Sequence, residues 1–241
     1  MDTEKLDIVY FLKNGMPSEE VRYSLRSLIN LPHRNIWVYG SAPRWIQNVK
    51  VKQCIQNGTK WQNTSKMMFA VVNNPKISSK FIVMNDDFFI LEPIDKLECY
   101  CEGSLEERVE RTFLRPMNWG AGHYSRYGLS LKETLDWLKT HGYPTVNYEV
   151  HIPMVFEKSK MKKCLEAFPK GGYAARRSLY GNMYQIPAIN LEHDVKVYNT
   201  LTGFPSKGLK NFLSTTDRSF AKGVAGQYIR NHFNEKCEYE Q

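Results

Sequence analysis

The chain has 241 residues, of which 42% are hydrophobic and 24% are charged; these ordinary globular values exclude a disordered or a fibrous chain. No window approaches about 18 consecutive apolar residues, and the polar N-terminus has no signal-peptide pattern, so we expect a cytoplasmic protein without a membrane span. The net charge of +8 is concentrated in residues 158–241, where 14 basic and 7 acidic side chains give +7; this favours a polyanionic partner, although solubility alone also accounts for it.

The first third of the chain alternates strand and helix patterns. Residues 6–12 form a β-branched and aromatic run that predicts a buried strand ending at the turn dipeptide Asn14-Gly15. The following patterns predict, in chain order, a helix from Ser18 to about Asn30, strands at 35–39 and 49–51, a helix capped by Asn63 or Thr64, and a strand at 81–84. This alternation predicts an α/β sheet with parallel pairing.

The later part of the chain is less regular and mainly helical. Amphipathic patterns predict helices at 130–139, 157–168, 176–184 and 219–233. No Pro/Gly/Ser-rich linker divides the chain, so we expect a single domain with a helical C-terminal part.

The strongest local motif is Asn85-Asp86-Asp87, which directly follows the strand at 81–84. Ligands bind beyond the carboxyl ends of strands in open α/β sheets. Two adjacent carboxylates need a counter-charge there, and Mg²⁺ or Mn²⁺ on a diphosphate provides one. The alternative is a turn with one exposed and one capping aspartate, but the strand before it and the aromatics after it favour a metal–diphosphate site.

A second motif lies around Glu149 and His151. The two residues alternate about Val150, so in an extended segment they point the same way. One is a candidate base for an acceptor hydroxyl, and the other is a candidate metal ligand or acid. Their alternative is a structural role.

Three basic groups are candidate phosphate binders. Arg22 and Arg26 are spaced i, i+4 on one helix face and would act with Lys13, whereas Arg176 and Arg177 are adjacent near a helix start. The alternative for Arg22 and Arg26 is a solvated helix face, which is favoured without the motif context, and the alternative for Arg176 and Arg177 is a basic surface patch. The sequence contains no P-loop, G-x-G-x-x-G, G-x-S-x-G or H-E-x-x-H motif, which disfavours the enzyme classes that depend on them.

Together these motifs resemble the Stealth family of sugar-phosphate transferases. The matching stretches are LDIVYFLKNG at 6–15, EVRYSLRS at 20–27, the strand at 34–39, PRWI at 43–46, MNDDFF at 84–89 and, more loosely, the histidine block at 148–154. Small phage-type glycosyltransferases look similar over more of the chain. One departure is Asn14, which stands where the family has an aspartate.

The resemblance implies a GT-A-like (Rossmann-like) mixed sheet flanked by helices, a UDP-sugar or similar donor, and Mn²⁺ or Mg²⁺. We expect residues 1–95 to form the nucleotide-sugar-binding core of one domain over 1–241, and 96–241 the acceptor side and C-terminal part. For a phage-encoded protein, the compartment would be the host cytoplasm. The expected site consists of catalytic His151, Glu149 and Asp87; donor-binding Lys13, Asn14, Arg22, Arg26, Arg176 and Arg177; and the metal ligands Asp86, Asp87 and His151.

Three functions compete at this point. The first is a metal-dependent glycosyltransferase acting on an acceptor hydroxyl, with a hydroxymethylated base of phage DNA as a concrete polyanionic acceptor and an anionic glycan as another. The second is a Stealth-type sugar-1-phosphate transferase acting on a glycan with the same residues. The third, a non-catalytic nucleic-acid-binding module, explains the charge but not Asn85-Asp86-Asp87.

Overall fold

The computed structural model describes residues 5–15, 19–114, 125–202, 204 and 209–241. Ser18, the predicted start of the first helix, lies outside these residues. The strands are β1 Leu6–Leu12, β2 His33–Gly40, β3 Lys50–Lys52, β4 Lys80–Met84, β5 Phe88–Ile90, β6 Tyr100–Cys101, β7 Met154–Glu157, β8 Ile189–Asn190, β9 Lys196–Val197 and β10 Phe212–Thr215. The helices are α1 Glu20–Ser27, α2 Lys60–Val72, α3 Leu105–Leu114, α4 Arg126–Thr140, α5 Lys158–Ala167, α6 Arg176–Met183, α7 Asp217–Lys222 and α8 Val224–His232.

Five of the strands form the central sheet, in the order β3-β2-β1-β4-β7. The first four are parallel to one another, whereas β7 runs antiparallel along β4. The order 3-2-1-4 of the parallel strands is that of a Rossmann-like sheet. The predicted mixed α/β sheet flanked by helices is therefore confirmed, and the parallel pairing of the first four strands with it.

Helices cover both faces of this sheet because successive side chains of each strand point to opposite sides. Val9 and Val83 face one core, which α2, α4, α5 and α6 cover. Ile8 and Tyr10 face the other core, which contains the apolar side of α1. Both cores are continuous apolar layers, so the central strands are buried on each face, as their unbroken hydrophobic runs predict.

Several boundaries differ from the sequence predictions for local reasons. Helix α2 is capped by Thr59 rather than by Asn63 or Thr64, because Thr59 is extended and forms a reciprocal capping box with Gln62. The predicted helix at 219–233 is two helices that meet at Gly223. They pack so closely that a Cβ atom on Gly226 would lie 1.7 Å from a backbone oxygen of α7.

Helix α4 starts four residues before its predicted start. The sequence patterns also gave no indication of α3 or of the two small sheets, β5-β10-β9 and β6-β8. In the part of the chain that the structure describes, no helix combines the length and the apolar character that crossing a membrane requires.

Candidate active site

The carboxyl ends of β1, β2 and β4 meet at one edge of the central sheet, which is where ligands bind in folds of this kind. Gly40 ends β2 with φ +116°, and a Cβ atom there would lie 1.9 Å from the carbonyl oxygen of Leu12. Only glycine permits this close approach of the two strand ends. Asn14, just after β1, exchanges hydrogen bonds with Gln56, and Lys13 beside it is exposed.

The loop after β4 is held in place by the hydroxyl groups of Ser24 and Tyr10. Ser24 Oγ donates a hydrogen bond to the backbone oxygen of Asn85 over 3.2 Å, and the hydroxyl of buried Tyr10 lies 2.9 Å from Ser24 Oγ. Phe88 N donates to the same Asn85 oxygen over 3.3 Å and closes the turn. Asp86 and Asp87 are therefore held in a defined turn between β4 and β5.

Asp87 forms an ion pair that the sequence did not indicate. Its Oδ2 atom lies 2.7 Å from Nζ of Lys196 on β9, and the two side chains are only 18% and 13% exposed. The backbone oxygen of Asp87 also accepts a hydrogen bond from Thr215 N on β10. Part of the counter-charge that we expected from a cation is thus supplied by the protein itself.

His151 is held by Asp194, which lies two residues before Lys196. The imidazole Nδ1 is 2.5 Å from Asp194 Oδ2, and the backbone N–H of His151 donates to Asp194 Oδ1 over 2.9 Å. The side chains are 22% and 11% exposed. Burial works to raise the pKa of Asp194, but His151, its hydrogen bonds and the charge of Arg108 outweigh burial and hold this pKa below its usual value.

Buried Phe88 connects this pair to the Asp86-Asp87 turn. The ring of His151 packs edge-on against Phe88 with centroids 6.2 Å apart. The guanidinium carbon of Arg177 lies 5.3 Å from the centroid of the same ring. Arg177 also donates to the backbone oxygens of Val150 and Ile152, on either side of His151. The structure thus brings together three predicted residues from separate motifs: Asp87, His151 and Arg177.

Glu149 binds the start of helix α6, a role that its alternation with His151 in the sequence did not suggest. Its Oε1 atom accepts a hydrogen bond from Ser178 N in the first turn of α6, over 3.0 Å. The carboxylate therefore caps this helix and interacts with its positive N-terminal end. It also attracts Arg176 and Arg177. Glu149 thus supports the arginine pair structurally, and we do not retain it as a candidate base.

Arg176 and Arg177 form a partly buried positive pair. Burial lowers the pKa of Arg176 to about 10 and lowers that of Arg177 as well, because desolvation disfavours the charged form. Because arginine side chains are not deprotonated in proteins, both remain charged at neutral pH. The hydrogen bond of Arg176 to Ser65 Oγ is long, at 3.4 Å. We retain this pair as a candidate for binding phosphate oxygens, because both hydrogen bonds from Arg177 to the oxygens of Val150 and Ile152 use the same atom, Nη1.

The other arginine pair, Arg22 and Arg26, binds Glu240 near the C-terminus of the chain. Arg26 Nε and Nη2 lie 2.6 and 2.9 Å from the two carboxylate oxygens of Glu240. Arg22 is 3.5 Å from the same carboxylate and stacks 4.5 Å from the ring centroid of Trp45. Because their guanidinium groups are engaged in this way, we leave Arg22 and Arg26 out of the donor site.

The acidic groups near the turn suit a metal ion only if the donor supplies further ligands. Among the described residues no three His, Cys, Asp or Glu side chains form a group that holds a metal, so Asp86, Asp87 and His151 are not such a set. Burial raises the pKa of nearby Glu20 to about 7, and the charges of Asp86 and Asp87 contribute. This concentrated negative charge and the two carboxylates fit Mg²⁺ or Mn²⁺ that arrives with diphosphate oxygens.

Sequence reasoning missed three residues of this site: Glu20, Asp194 and Lys196. Glu20 was read only as an acidic residue in the first turn of a helix. Asp194 and Lys196 alternate about the buried Val195, a two-residue pattern too short to predict a strand. Their partners lie 43 and 109 positions away, so only the fold shows what they do.

No family model and no curated protein matches the chain. Solved structures give distant similarities. A 4-diphosphocytidyl-2C-methyl-D-erythritol synthase aligns with a TM-score of 0.43 and 10% identity over 95% of this chain and 100% of that one. The glycosyltransferase GlyE of Streptococcus pneumoniae TIGR4 aligns with a TM-score of 0.31 and 11% identity over 95% of this chain and 50% of its own. Scores this low carry no functional conclusion, and the Stealth resemblance rests on its motifs alone.

Proposed function

We propose that this protein transfers a sugar from a nucleotide-sugar donor to an acceptor hydroxyl. The observation that carries the proposal is the convergence of a histidine–aspartate pair, an aspartate turn and an arginine pair at the carboxyl edge of a Rossmann-like sheet. His151 packs on Phe88, the residue after Asp87, and Arg177 packs on the same ring. A general base, an acidic turn and cations for phosphate are what transfer from a diphosphate donor to a hydroxyl requires.

Two groups of residues would bind the donor diphosphate. Arg176 and Arg177 supply positive charge from one side, and their partial burial strengthens each interaction with an anion. Asp86 and Asp87 would hold Mg²⁺ or Mn²⁺ on the other side. When bound, this ion would act as a Lewis acid that stabilises the charge on the leaving phosphate.

His151 would act on the acceptor. A hydroxyl group is a poor nucleophile at neutral pH, and a positioned base accelerates its attack by about 10²–10⁴-fold. As the acceptor oxygen bonds to the anomeric carbon, the bond from that carbon to the phosphate oxygen breaks. The hydroxyl proton passes to the imidazole of His151, and the nucleoside diphosphate leaves with the bonding electrons.

A second reaction is favoured by the position of Arg177 close to His151. Here the acceptor oxygen attacks the β-phosphorus, its proton passes to the imidazole of His151, the bond between the two phosphates breaks, and the nucleoside monophosphate leaves with the bonding electrons. This is the sugar-1-phosphate transfer that the Stealth resemblance implies, and an arginine beside the base would stabilise the phosphoryl group. The released nucleotide distinguishes the two reactions.

The distribution of charge along the chain favours an anionic acceptor. The excess of +7 over residues 158–241 favours a polyanion, either DNA with hydroxymethylated bases or an anionic glycan. A base within duplex DNA would have to be flipped out of the stack before its hydroxyl reached His151.

The test is a screen of nucleotide-sugars with Mn²⁺ and both acceptor classes, with the released nucleotide identified by chromatography. Nucleoside diphosphate supports sugar transfer, and monophosphate supports sugar-phosphate transfer. His151→Ala should abolish transfer. The matched control is His193→Ala, because His193 is a nearby histidine that is 52% exposed. Full activity of His151→Ala would remove His151 from the reaction.

A further inference from the structure

Asp194 holds His151 at two points. Its Oδ1 atom accepts the backbone N–H of His151 over 2.9 Å and that of Val195 over 2.8 Å. Its Oδ2 atom faces the ring nitrogen Nδ1 at 2.5 Å. Because the same carboxylate binds the backbone and the ring of one residue, it fixes both the position and the rotation of the imidazole.

The chemistry of the pair also fixes where the ring proton lies. An ionised carboxylate only accepts hydrogen bonds, so the neutral imidazole must carry its proton on Nδ1. The backbone N–H groups on Oδ1 and the charge of Arg108 favour the ionised form of Asp194. The second nitrogen, Nε2, then carries a lone pair, and the described part of the chain offers it no hydrogen bond.

We propose that Asp194 is the positioning residue of this site: it fixes the Nδ1–H tautomer of His151, so that Nε2 takes the proton of the acceptor hydroxyl. The proton moves from the acceptor oxygen to Nε2 as that oxygen forms its new bond. The resulting imidazolium is stabilised by the Asp194 carboxylate, which itself stays ionised. The tautomer is assigned from the hydrogen bonds that Asp194 makes. Its use in the reaction rests on the proposed function.

The same short segment also reaches the acidic turn. Two residues after Asp194, Lys196 pairs with Asp87, and between them Val195 is fully buried. Val195 O accepts a hydrogen bond from Ser214 N, which ties the segment to β10. Residues 194–196 therefore hold His151 and Asp87 in one fixed relation.

The charged groups around His151 come from three segments of the chain: the one at β9, helix α6 and the turn before β5. Asp194 precedes β9, Lys196 lies on β9, Arg177 lies on α6, and Asp87 precedes Phe88 on β5. Among the described residues, the hydrogen bond found at a ring nitrogen of His151 is the one between Nδ1 and Asp194. The tautomer is therefore assigned to this one contact.

Asp194→Asn should reverse the tautomer. Two backbone N–H groups hold the oxygen at the Oδ1 position, so the amide NH₂ of asparagine takes the position that faces Nδ1. An NH₂ group donates, so Nδ1 must accept and the ring proton must move to Nε2. The matched control is Asp136→Asn, because Asp136 is an exposed aspartate paired with Lys132.

The measurement is ¹⁵N NMR of the imidazole nitrogens at about pH 8.5, where ordinary histidines are neutral. Wild-type protein and Asp136→Asn should show a protonated Nδ1 and an unprotonated Nε2, and Asp194→Asn the reverse. A protonated Nε2 in the wild type overturns the proposal. This test does not depend on whether any variant folds. An unchanged tautomer in folded Asp194→Asn overturns it as well.

Kinetics then test the use of this tautomer. Asp194→Asn should lower kcat by about 10²–10⁴-fold and leave the KM for the donor near its wild-type value. If Asp194→Asn changes the tautomer but leaves kcat unchanged, the proposal that the tautomer serves the transfer reaction is overturned. If the wild type shows no transfer with any donor, the proposed function fails, while the NMR result still decides the tautomer.

Discussion

Arg26 on the first helix and Glu240, the penultimate residue of the chain, form a two-point ion pair with N–O distances of 2.6 and 2.9 Å. The side chains are 8% and 1% exposed. Arg26 also donates to the backbone oxygen of Phe233 over 2.7 Å. The pair thus joins α1 to the last residues of the chain across 214 positions of sequence.

Breaking this pair should destabilise the fold without affecting transfer by the folded protein. Arg26→Met removes the two-point partner of the buried Glu240 carboxylate and leaves it only the longer contact with Arg22. Breaking a buried ion pair in this way costs about 3–5 kcal/mol. We expect Glu240→Leu in the same background to recover much of that loss, because no charge then remains buried. Urea unfolding of both variants, with exposed Arg44→Met as the control, measures the effect. A large rise in donor KM for folded Arg26→Met would return Arg26 to the donor site.

Glu20 should make stability depend on pH in a defined direction. Burial raises its pKa in the folded protein to about 7, above its ordinary value of 4.5, so the folded state binds the proton more tightly than the unfolded state. Stability from this group is present below about pH 4.5 and is lost as the pH rises towards 7, by up to about 3 kcal/mol.

Glu20→Gln should remove this dependence, because an amide does not titrate in this pH range. The amide oxygen can still accept the hydrogen bond from Thr215 Oγ1. The variant should gain stability relative to the wild type at pH 8 but not at pH 4.5. Urea unfolding at both pH values tests this, with Glu98→Gln as the exposed control. An equal difference at the two pH values would contradict the assignment.

Asp87→Asn should lower kcat by at least about 100-fold, because a neutral amide holds a cation poorly and leaves Lys196 without its ion pair. Added Mn²⁺ should restore part of the activity if the carboxylate binds the ion. Asp95→Asn, at an exposed aspartate after β5, serves as the control. Near wild-type turnover of the Asp87 variant would remove the acidic turn from the reaction.

Binding to a polyanion should weaken steeply with salt. A site that neutralises Z phosphates of duplex DNA has a log–log slope of about −0.9Z. Replacing exposed Lys210 and Lys222 with glutamine should make the slope shallower by about 2. Lys76 and Lys80 lie at the amino end of β4, away from the acidic turn at its carboxyl end. Replacing these two lysines should leave the salt slope unchanged. A Kd for DNA that does not respond to salt would indicate a different acceptor.

The local fold was largely readable from the sequence. The strand at 6–12 and the turn after 81–84 were predicted because apolar runs and turn residues act over a few neighbouring positions. Other local patterns singled out Asp87 after a strand, His151 by its alternation with Glu149, and Arg177 near a helix start; the structure brings these three together. Local reasoning failed at the helix at 219–233, because the break at Gly223 depends on how closely two helices pack rather than on apolar periodicity.

What a charged side chain does was decided only by tertiary structure. Sequence spacing put Arg22 and Arg26 on one helix face, and they do share a target, but it is Glu240 rather than a phosphate. Asp194 had no local pattern to mark it, since its partner His151 is 43 positions away. Hydrophobic periodicity is a property of neighbours in sequence, whereas an ion pair or a hydrogen bond depends on which distant segments the packed core places side by side.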